Sequence, residues 1–386
     1  MTHDGSYRAT HDHSAREAPD RGSPPCAPEP VTGTRTLDWG TRLADAIRAA
    51  LARGDRPRAQ RLALEGDGLA RDLAREYTFM LHGLGITVRI VLGQLVDLAA
   101  ARPVSGWRDA DTSDAMLVEL LRRLSSGLRA SLPACTGGAG DSSAPDPVAS
   151  TVSDLAQRCS AALSDAQVRF VEDQARRAQA VMTALGEPDP ERACAALDAK
   201  DQAYLALHDP LVRFMADAFA WVYRHGGAPA LTAFHLATAD AQRTGFEKWE
   251  HLPVAEFAAL TAFLLRQHMG RVTVEEDTRR FTFRQSPCGS GGRLIADGAY
   301  DGPDALSRVD EPGPLSFGAP PVPVYCTHCA IWNGAATLRW FGRVHWVFEQ
   351  PARPDGGCTL NLYKRREDTP EAYVRRVALP AVAPAP

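Results

Sequence analysis

A change in the spacing of apolar residues near Gly270 is the feature that most limits how this chain can fold. Before it, apolar residues recur at intervals of three and four, as in LDWGTRLADAIRAALARG, and this spacing is typical of amphipathic helices. Breaks in this helical pattern are expected near GEPDP and HGGAP. After Gly270, RVTVEEDTRRFTFRQ alternates apolar and polar residues, which is the pattern of a β-hairpin, and VHWVFEQ and CTLNLYKR form a second strand pair separated by PARPDGG. The sequence therefore predicts an α+β protein. Its N-terminal two-thirds should be largely helical and should be followed by a small α+β cysteine-rich domain.

Local composition suggests where the segments of the chain begin and end. The first residues are polar, rich in Pro and Gly and without any period, so we expect them to be disordered. A second Gly/Ser/Pro-rich stretch, PACTGGAGDSSAPDPVA, reads as a flexible linker between two helical regions. The predicted segments are a disordered N-terminus (1–36), a helical region (37–132), a linker (133–149), a helical region (150–270), the cysteine-rich domain (271–366) and a tail (367–386).

Charge and hydropathy narrow the classes of partner. The net charge is -4, from 43 Lys and Arg against 47 Asp and Glu, so the chain has no excess of positive charge with which to bind the phosphates of a nucleic acid. The N-terminus lacks the basic and apolar regions of a signal peptide, and no stretch reaches about 18 uninterrupted apolar residues. We expect a cytoplasmic protein that binds a small-molecule ligand or substrate, with no nucleic-acid or membrane partner. The helical region could serve as a homodimer interface.

Four of the eight cysteines fall within the predicted C-terminal domain. Cys326 and Cys329 have CxxC spacing, which lets two sulfurs face one ion from a tight turn. Soft thiolates suit zinc or, less favourably, iron and iron-sulfur centres. Cys288 and Cys358 each border a predicted strand of the same domain, so their loops can converge on that pair. Our first hypothesis is a zinc site made by these four cysteines, with Cys358 as fourth ligand or neighbour and His328 as a further candidate.

The number of protein ligands would decide what such a site does. With three protein ligands and an open position, zinc lowers the pKa of bound water to near 7. The protein would then be a metal-dependent enzyme that hydrolyses or rearranges a small polar molecule, with Arg293 holding an anionic group. A closed shell of four sulfurs would instead make a metal-stabilised ligand-binding or protein-interaction module without turnover.

A third hypothesis needs no metal. In FTFRQSPCGSGGRL a predicted strand delivers Cys288 to a glycine loop, where successive backbone N-H groups can point into one concavity and stabilise a thiolate. Cys288 would be the nucleophile, Arg293 would help to lower its pKa, and His328 or His345 would be the base. The same loop also suits a tight strand exit without any chemistry, and the sequence leaves both interpretations open.

Histidines and aromatic residues elsewhere favour packing over catalysis. His82 and His208 lie in apolar helical patterns, where a hydrogen-bonded core residue is the preferred interpretation. Four aromatic residues follow the CTHC segment and could line an apolar ligand pocket, although core packing is the simpler account. They are Trp332, Trp340, Phe341 and Trp346.

One segment carries a resemblance to known families. In GRVHWVFEQPARPDGGCTLNLYK, Cys358 takes the place of a late cysteine, with Cys326 or Cys329 upstream. This part is similar to 4-vinyl reductase domains and to L-2-amino-thiazoline-4-carboxylate hydrolase-like proteins. The resemblance implies an intracellular domain for small organic ligands, with a cysteine-rich metal site in some members and hydrolysis of a sulfur-containing ring in others. The CGSGGR loop, the CTHC segment and the long helical part depart from those families.

Overall fold

Helices build most of this protein, whose computed structural model describes residues 33–70, 72–101, 110–130 and 152–379. The predicted α+β class with a helical N-terminal majority is confirmed. The predicted linker and most of the predicted disordered N-terminus lie outside the described residues. The helices before the sheet are Leu43–Ala52 (α1), Arg56–Glu65 (α2), Thr78–Ala100 (α3), Ala110–Ala130 (α4), Val152–Gly186 (α5), Pro190–Ala241 (α6), Arg243–Glu250 (α7) and Val254–Gln267 (α8).

Caps and breaks between these helices follow from local sequence. The Asp55 side chain accepts a hydrogen bond from the backbone N-H of Arg58 and so caps α2. Asp189 caps α6 in the same way, and Pro190 follows it at a position where its missing N-H costs nothing. Gly227, with a φ of 68°, interrupts the regular helix within α6. The predicted breaks at GEPDP and HGGAP are therefore confirmed.

Among the N-terminal helices, α3, α4, α5 and α6 pack against one another. Their apolar core also includes residues from the C-terminal part, such as Tyr325 and Ile331. The described residues from Gly33 onward form one compact unit. Within the described residues, the segment Leu73–Ala100 is long and apolar enough to cross a membrane, but half of its most apolar window is buried inside the protein. Core helices commonly share this property, so it is weak evidence for a membrane span.

The C-terminal part contains an antiparallel sheet of five strands in the order β1-β2-β3-β7-β6. Both predicted hairpin pairs are confirmed, β2 with β3 and β6 with β7. Arg35 and Thr36, which the sequence placed in the disordered segment, instead pair with β2 as part of an edge strand. The strands are Arg35–Leu37 (β1), Val272–Glu276 (β2), Arg280–Gln285 (β3), Arg308–Val309 (β4), Val322–Pro323 (β5), Val347–Gln350 (β6) and Cys358–Tyr363 (β7), with β4 and β5 forming a separate pair.

Short helices complete the C-terminal part. The CTHC segment was expected to form a tight turn, but it lies in helical structure, with Cys326 ending a 3-10 turn and Cys329 within a helix that runs on through a π-helical turn. These helices are Gly291–Ala296 (α9), Thr327–Ala330 (α10), Ala336–Phe341 (α11) and Glu371–Val377 (α12).

Strand register decides what meets at one end of the sheet. Gln285, the last residue of β3, pairs with Cys358, the first residue of β7. The loop that leaves β3 therefore begins beside the loop that enters β7. This arrangement brings Cys288 to Cys358, although 69 residues separate them in the chain.

Candidate functional site

A partly open cavity of about 590 Å³ lies where the helices meet this end of the sheet. Cys288, Cys326, Cys329 and Cys358 all line it, as the sequence predicted when it placed them in converging loops. Apolar side chains form much of the remaining wall, among them Phe246, Trp249, Phe317, Trp332, Trp346 and Leu360. Two of the four aromatic residues that could line a pocket, Trp332 and Trp346, thus do so.

Backbone hydrogen bonds hold Cys288 in the loop that follows β3. Its own N-H donates to the carbonyl of Gly356 at 2.9 Å, which ties the two loops together. The N-H groups of Ser290 and Gly292 donate to its sulfur, and the Ser290 hydroxyl lies 3.6 Å from Sγ. The concavity of N-H groups that the glycine loop predicted is therefore present around this sulfur.

These donors lower the pKa of Cys288 to about 5. The largest contribution is a hydrogen bond from the thiol of Cys358, followed by those from Gly292 and Ser290, while burial opposes them. Donation to Cys288 raises the pKa of Cys358 well above its usual value, so Cys358 stays protonated. The side-chain amide of Gln285 donates to Cys358 Sγ at 3.0 Å, which leaves the S-H of Cys358 to point at Cys288.

Glycine is required at Gly292 because the two loops cross there. A Cβ on Gly292 would lie 2.0 Å from the carbonyl oxygen of Gly356 and 3.1 Å from the Cβ of Cys288. Gly356 has a φ of 74°, a conformation that side chains rarely adopt. The glycines of CGSGG and DGG therefore allow the close approach that forms the site.

The CTHC segment gives its thiols a different environment in the same cavity. Burial raises the pKa of Cys326 and of Cys329, and the negative charge of Cys288 raises them further. His328 bonds through Nδ1 to the carbonyl of Tyr325, and its Nε2 lies 3.4 Å from Cys329 Sγ. Burial lowers the pKa of His328 to about 4, so the ring is neutral and its Nε2 accepts from the Cys329 thiol.

The arrangement of the four cysteines does not by itself form the predicted zinc site. Within the described part of the chain, no group of three or more His, Cys, Asp or Glu side chains is arranged to hold a metal ion. The four cysteines share the cavity wall, and their hydrogen bonds run in pairs, from Cys358 to Cys288 and between Cys329 and His328. A zinc, iron or iron-sulfur centre at these residues stays a prediction.

Arg293 and His345 make framework contacts outside the described cavity wall, and their predicted roles stay predictions. Arg293 is not among the described residues that line the cavity. Its guanidinium donates to the carbonyls of His268 and Gly289 and pairs with Asp209, so it fastens the Cys288 loop to the end of α8. His345 also lies outside the described cavity wall, and its Nε2 bonds to Glu250 at 2.7 Å.

Sequence reasoning missed a buried histidine pair beside the site. His208 was interpreted as a hydrogen-bonded core residue, and it is fully buried and hydrogen-bonded. It also contacts His268, which lines the cavity, at 2.8 Å between Nε2 and Nδ1. The adjacent polar pair in LALHDPL, within an otherwise apolar helix, was the available signal. His82, in contrast, is exposed and lines the cavity, so its interpretation as a core residue is wrong.

Comparisons with models of known protein families, with curated proteins and with solved structures find no match for this chain. The resemblance to 4-vinyl reductase and L-2-amino-thiazoline-4-carboxylate hydrolase-like domains therefore stays a prediction. Function has to be argued from the site itself.

Proposed function

We propose that this protein is a cysteine-nucleophile enzyme in which Cys288 attacks an electrophilic carbon of a small, largely apolar molecule bound in the cavity. The observation that carries the proposal is the set of donors around one sulfur. A thiolate is the reactive form of cysteine, and here backbone N-H groups and the Cys358 thiol stabilise it.

The cavity supports a small-molecule substrate. Its volume of about 590 Å³ falls within the range of ligand pockets, and its wall combines many apolar side chains with a few polar groups. Gln285 is one of these polar groups. It is buried, its amide nitrogen is bonded to Cys358, and its Oε1 has no partner among the described atoms, so this oxygen can accept a hydrogen bond from a ligand.

The zinc hypotheses, catalytic or structural, retain one argument, which is that four thiols face one cavity. Thiolate chemistry is favoured because the contacts give the four sulfurs unequal roles. One sulfur is ionised, while burial or hydrogen bonding keeps the other three protonated. These contacts support a reactive thiolate at Cys288 directly, whereas a bound metal would itself have to deprotonate the other thiols.

Alkylation by iodoacetamide between about pH 4 and pH 9 tests the proposal, with mass spectrometry identifying each modified cysteine. The rate at Cys288 should rise with pH through a midpoint near 5 and then level off. At pH 6 an unperturbed thiol is less than about 1% ionised, and weakly basic thiolates are intrinsically less nucleophilic. Allowing for both effects, we expect Cys288 to react about tenfold faster than the half-buried Cys194 at that pH.

Cys194 is the matched reference because it lies in α6, outside the described cavity wall. The Cys194→Ser variant should keep the fast phase, and Cys288→Ser should lose it. A midpoint for Cys288 near that of an ordinary thiol would contradict the proposal, as would a fast phase that survives in Cys288→Ser.

A further inference from the structure

The protonation of the buried histidine pair follows from its hydrogen bonds. His208 has both ring nitrogens engaged, Nδ1 with Asp209 at 2.7 Å and Nε2 with His268 at 2.8 Å. A carboxylate only accepts hydrogen bonds, so His208 must carry its proton on Nδ1. Burial lowers the pKa of His208, which keeps the ring neutral and leaves Nε2 as an acceptor.

The hydrogen bond between the rings also fixes the tautomer of His268. Because His208 Nε2 accepts, His268 Nδ1 must be the donor of the hydrogen bond between the rings. Burial, together with His208 and His328, lowers the pKa of His268 well below its usual value. His268 is therefore neutral with its proton on Nδ1, so its Nε2 keeps a lone pair that can accept a proton, and the residue lines the cavity.

Further contacts connect the hydrogen-bonded chain of Asp209, His208 and His268, here called the relay, to the loop that carries Cys288. Arg293 pairs with Asp209 at 3.2 Å and donates to the carbonyl of His268 at 2.7 Å and to that of Gly289, the residue after Cys288. A Cβ on Gly289 would lie 2.0 Å from the His268 carbonyl oxygen, so the two backbones touch. Tyr204 packs on His208, and His328 and Arg293 are the other ionisable groups that face His268.

We infer that Asp209 and His208 are positioning residues that hold His268 as a general base, and that His268 activates water to release an acyl group from Cys288. The inference rests on the proposed role of Cys288 as nucleophile. Cys288 is ionised by its own donors, so it needs no base to attack. His328 is unsuited to this role because its Nε2 faces the Cys329 thiol. A neutral imidazole on the same cavity wall as an already ionised sulfur can instead accept a proton in the second half of a covalent hydrolysis.

The two steps balance without a further reactant. In the first, the Cys288 thiolate forms a bond to the carbonyl carbon of an ester or thioester, and the bond to the leaving group breaks, so the leaving group departs with the electron pair. In the second, water transfers one proton to His268 Nε2 and its oxygen bonds to the same carbon. The carbon-sulfur bond then breaks, which releases a carboxylic acid and restores the thiolate, and the proton on His268 passes through solvent to the leaving-group anion, which restores the neutral ring.

The tautomers can be measured on the intact protein without a substrate. Long-range proton–nitrogen correlation spectra of ¹⁵N-histidine protein, assigned with histidine variants, should show His208 and His268 both protonated on Nδ1. In Asp209→Asn the amide can donate to His208, which should move the proton of both rings to Nε2. Asp217→Asn is the matched control, since Asp217 lies on the same helix and pairs with Arg213. A His268 proton on Nε2 in the unaltered protein would overturn the relay.

The role of His268 can be tested with p-nitrophenyl butyrate, an activated ester. The unaltered protein should release one equivalent of p-nitrophenolate in a burst and then turn over slowly. His268→Gln should keep the burst within about twofold and lose about a hundredfold in the steady-state rate, with the butyryl group trapped on Cys288. Asp209→Asn should lose at least about tenfold in that rate.

Two outcomes separate this inference from the proposed function. If Cys288 alkylates as a thiolate but no burst is seen, acyl hydrolysis is overturned, while the proposed role of Cys288 as a nucleophile still holds. An unchanged steady-state rate in His268→Gln would overturn the role of His268. If Cys288 shows no thiolate, the proposed function and the inference both fail.

Discussion

Two cysteine-bearing segments face the same cavity and give their thiols opposite properties. In the loop after β3, donors surround Cys288 and lower its pKa to about 5. In the CTHC helix, Cys326 and Cys329 have raised pKa values, chiefly because burial disfavours their charged forms. Shared location in a cavity therefore does not give shared chemistry. The difference comes from the available donors. The Cys358 thiol and the N-H groups of a glycine loop reach Cys288, whereas a helix uses its N-H groups within the helix.

Gly292→Ala should disturb the Cys288 loop most, because it combines a steric overlap with the loss of a donor. The new methyl group would overlap the Gly356 carbonyl and displace an N-H donor from Cys288. We expect the midpoint of Cys288 alkylation to rise by at least about one pH unit, since an N-H donor to a thiolate is a charge-assisted hydrogen bond. We also expect a loss of about 1–3 kcal/mol in the free energy of unfolding from the overlap.

Gly93→Ala is the control for that variant. A Cβ on Gly93 meets nothing within 4 Å in the interior of α3, so the change should stabilise the protein slightly and leave the alkylation midpoint unchanged. If Gly292→Ala kept a midpoint near 5, the backbone donors would not explain the reactivity of Cys288.

Removal of the donor on β7 should disturb the fold less than Gly292→Ala, because it introduces no overlap, but it takes away the largest contribution to the lowered pKa of Cys288. In Cys358→Ala the thiol that donates to Cys288 is lost, so the alkylation midpoint should move upward. Cys358→Ser keeps a hydroxyl donor at the same place and should hold the midpoint closer to 5. The two variants differ by a single atom, and equal midpoints in them would show that this hydrogen bond does not lower the pKa of Cys288.

The smallest effect should come from removal of metal. If Cys288 acts as a free thiolate, dialysis against a chelator should leave its alkylation rate unchanged, and elemental analysis should find no stoichiometric zinc or iron. The zinc hypothesis expects the reverse, with about one equivalent of metal and protected thiols that react only after chelation. Loss of metal in Cys326→Ser would then identify the CTHC segment as part of the site and would remove the contrast between the two segments.

Ionisation of Cys288 should also make stability depend on pH. Its folded-state pKa of about 5 lies below that of a thiol in the unfolded chain, which is about 8.5. The unfolded state therefore binds more protons between these values, and the free energy of unfolding should rise with pH across that window. Urea unfolding at several pH values would measure the slope, and Cys288→Ser should reduce it.

Local patterns predicted much of the fold correctly. Apolar periodicity located the helices, alternation located both hairpins, and glycine and proline marked the breaks, because these signals act between residues near in the chain. The CTHC segment was misjudged because its spacing suits both a metal turn and a helix, and packing against the helical core selected the helix.

The sequence by itself determined that this is an α+β protein and that the glycine loop after β3 could place N-H groups around Cys288. Only the tertiary structure decided which groups complete the site. The register of β3 with β7 brings Cys358 to Cys288, and contact between α6 and the end of α8 joins His208 to His268. Both pairings depend on contacts between residues distant in sequence. Local periodicity carries no information about such contacts, because they arise from how whole elements pack.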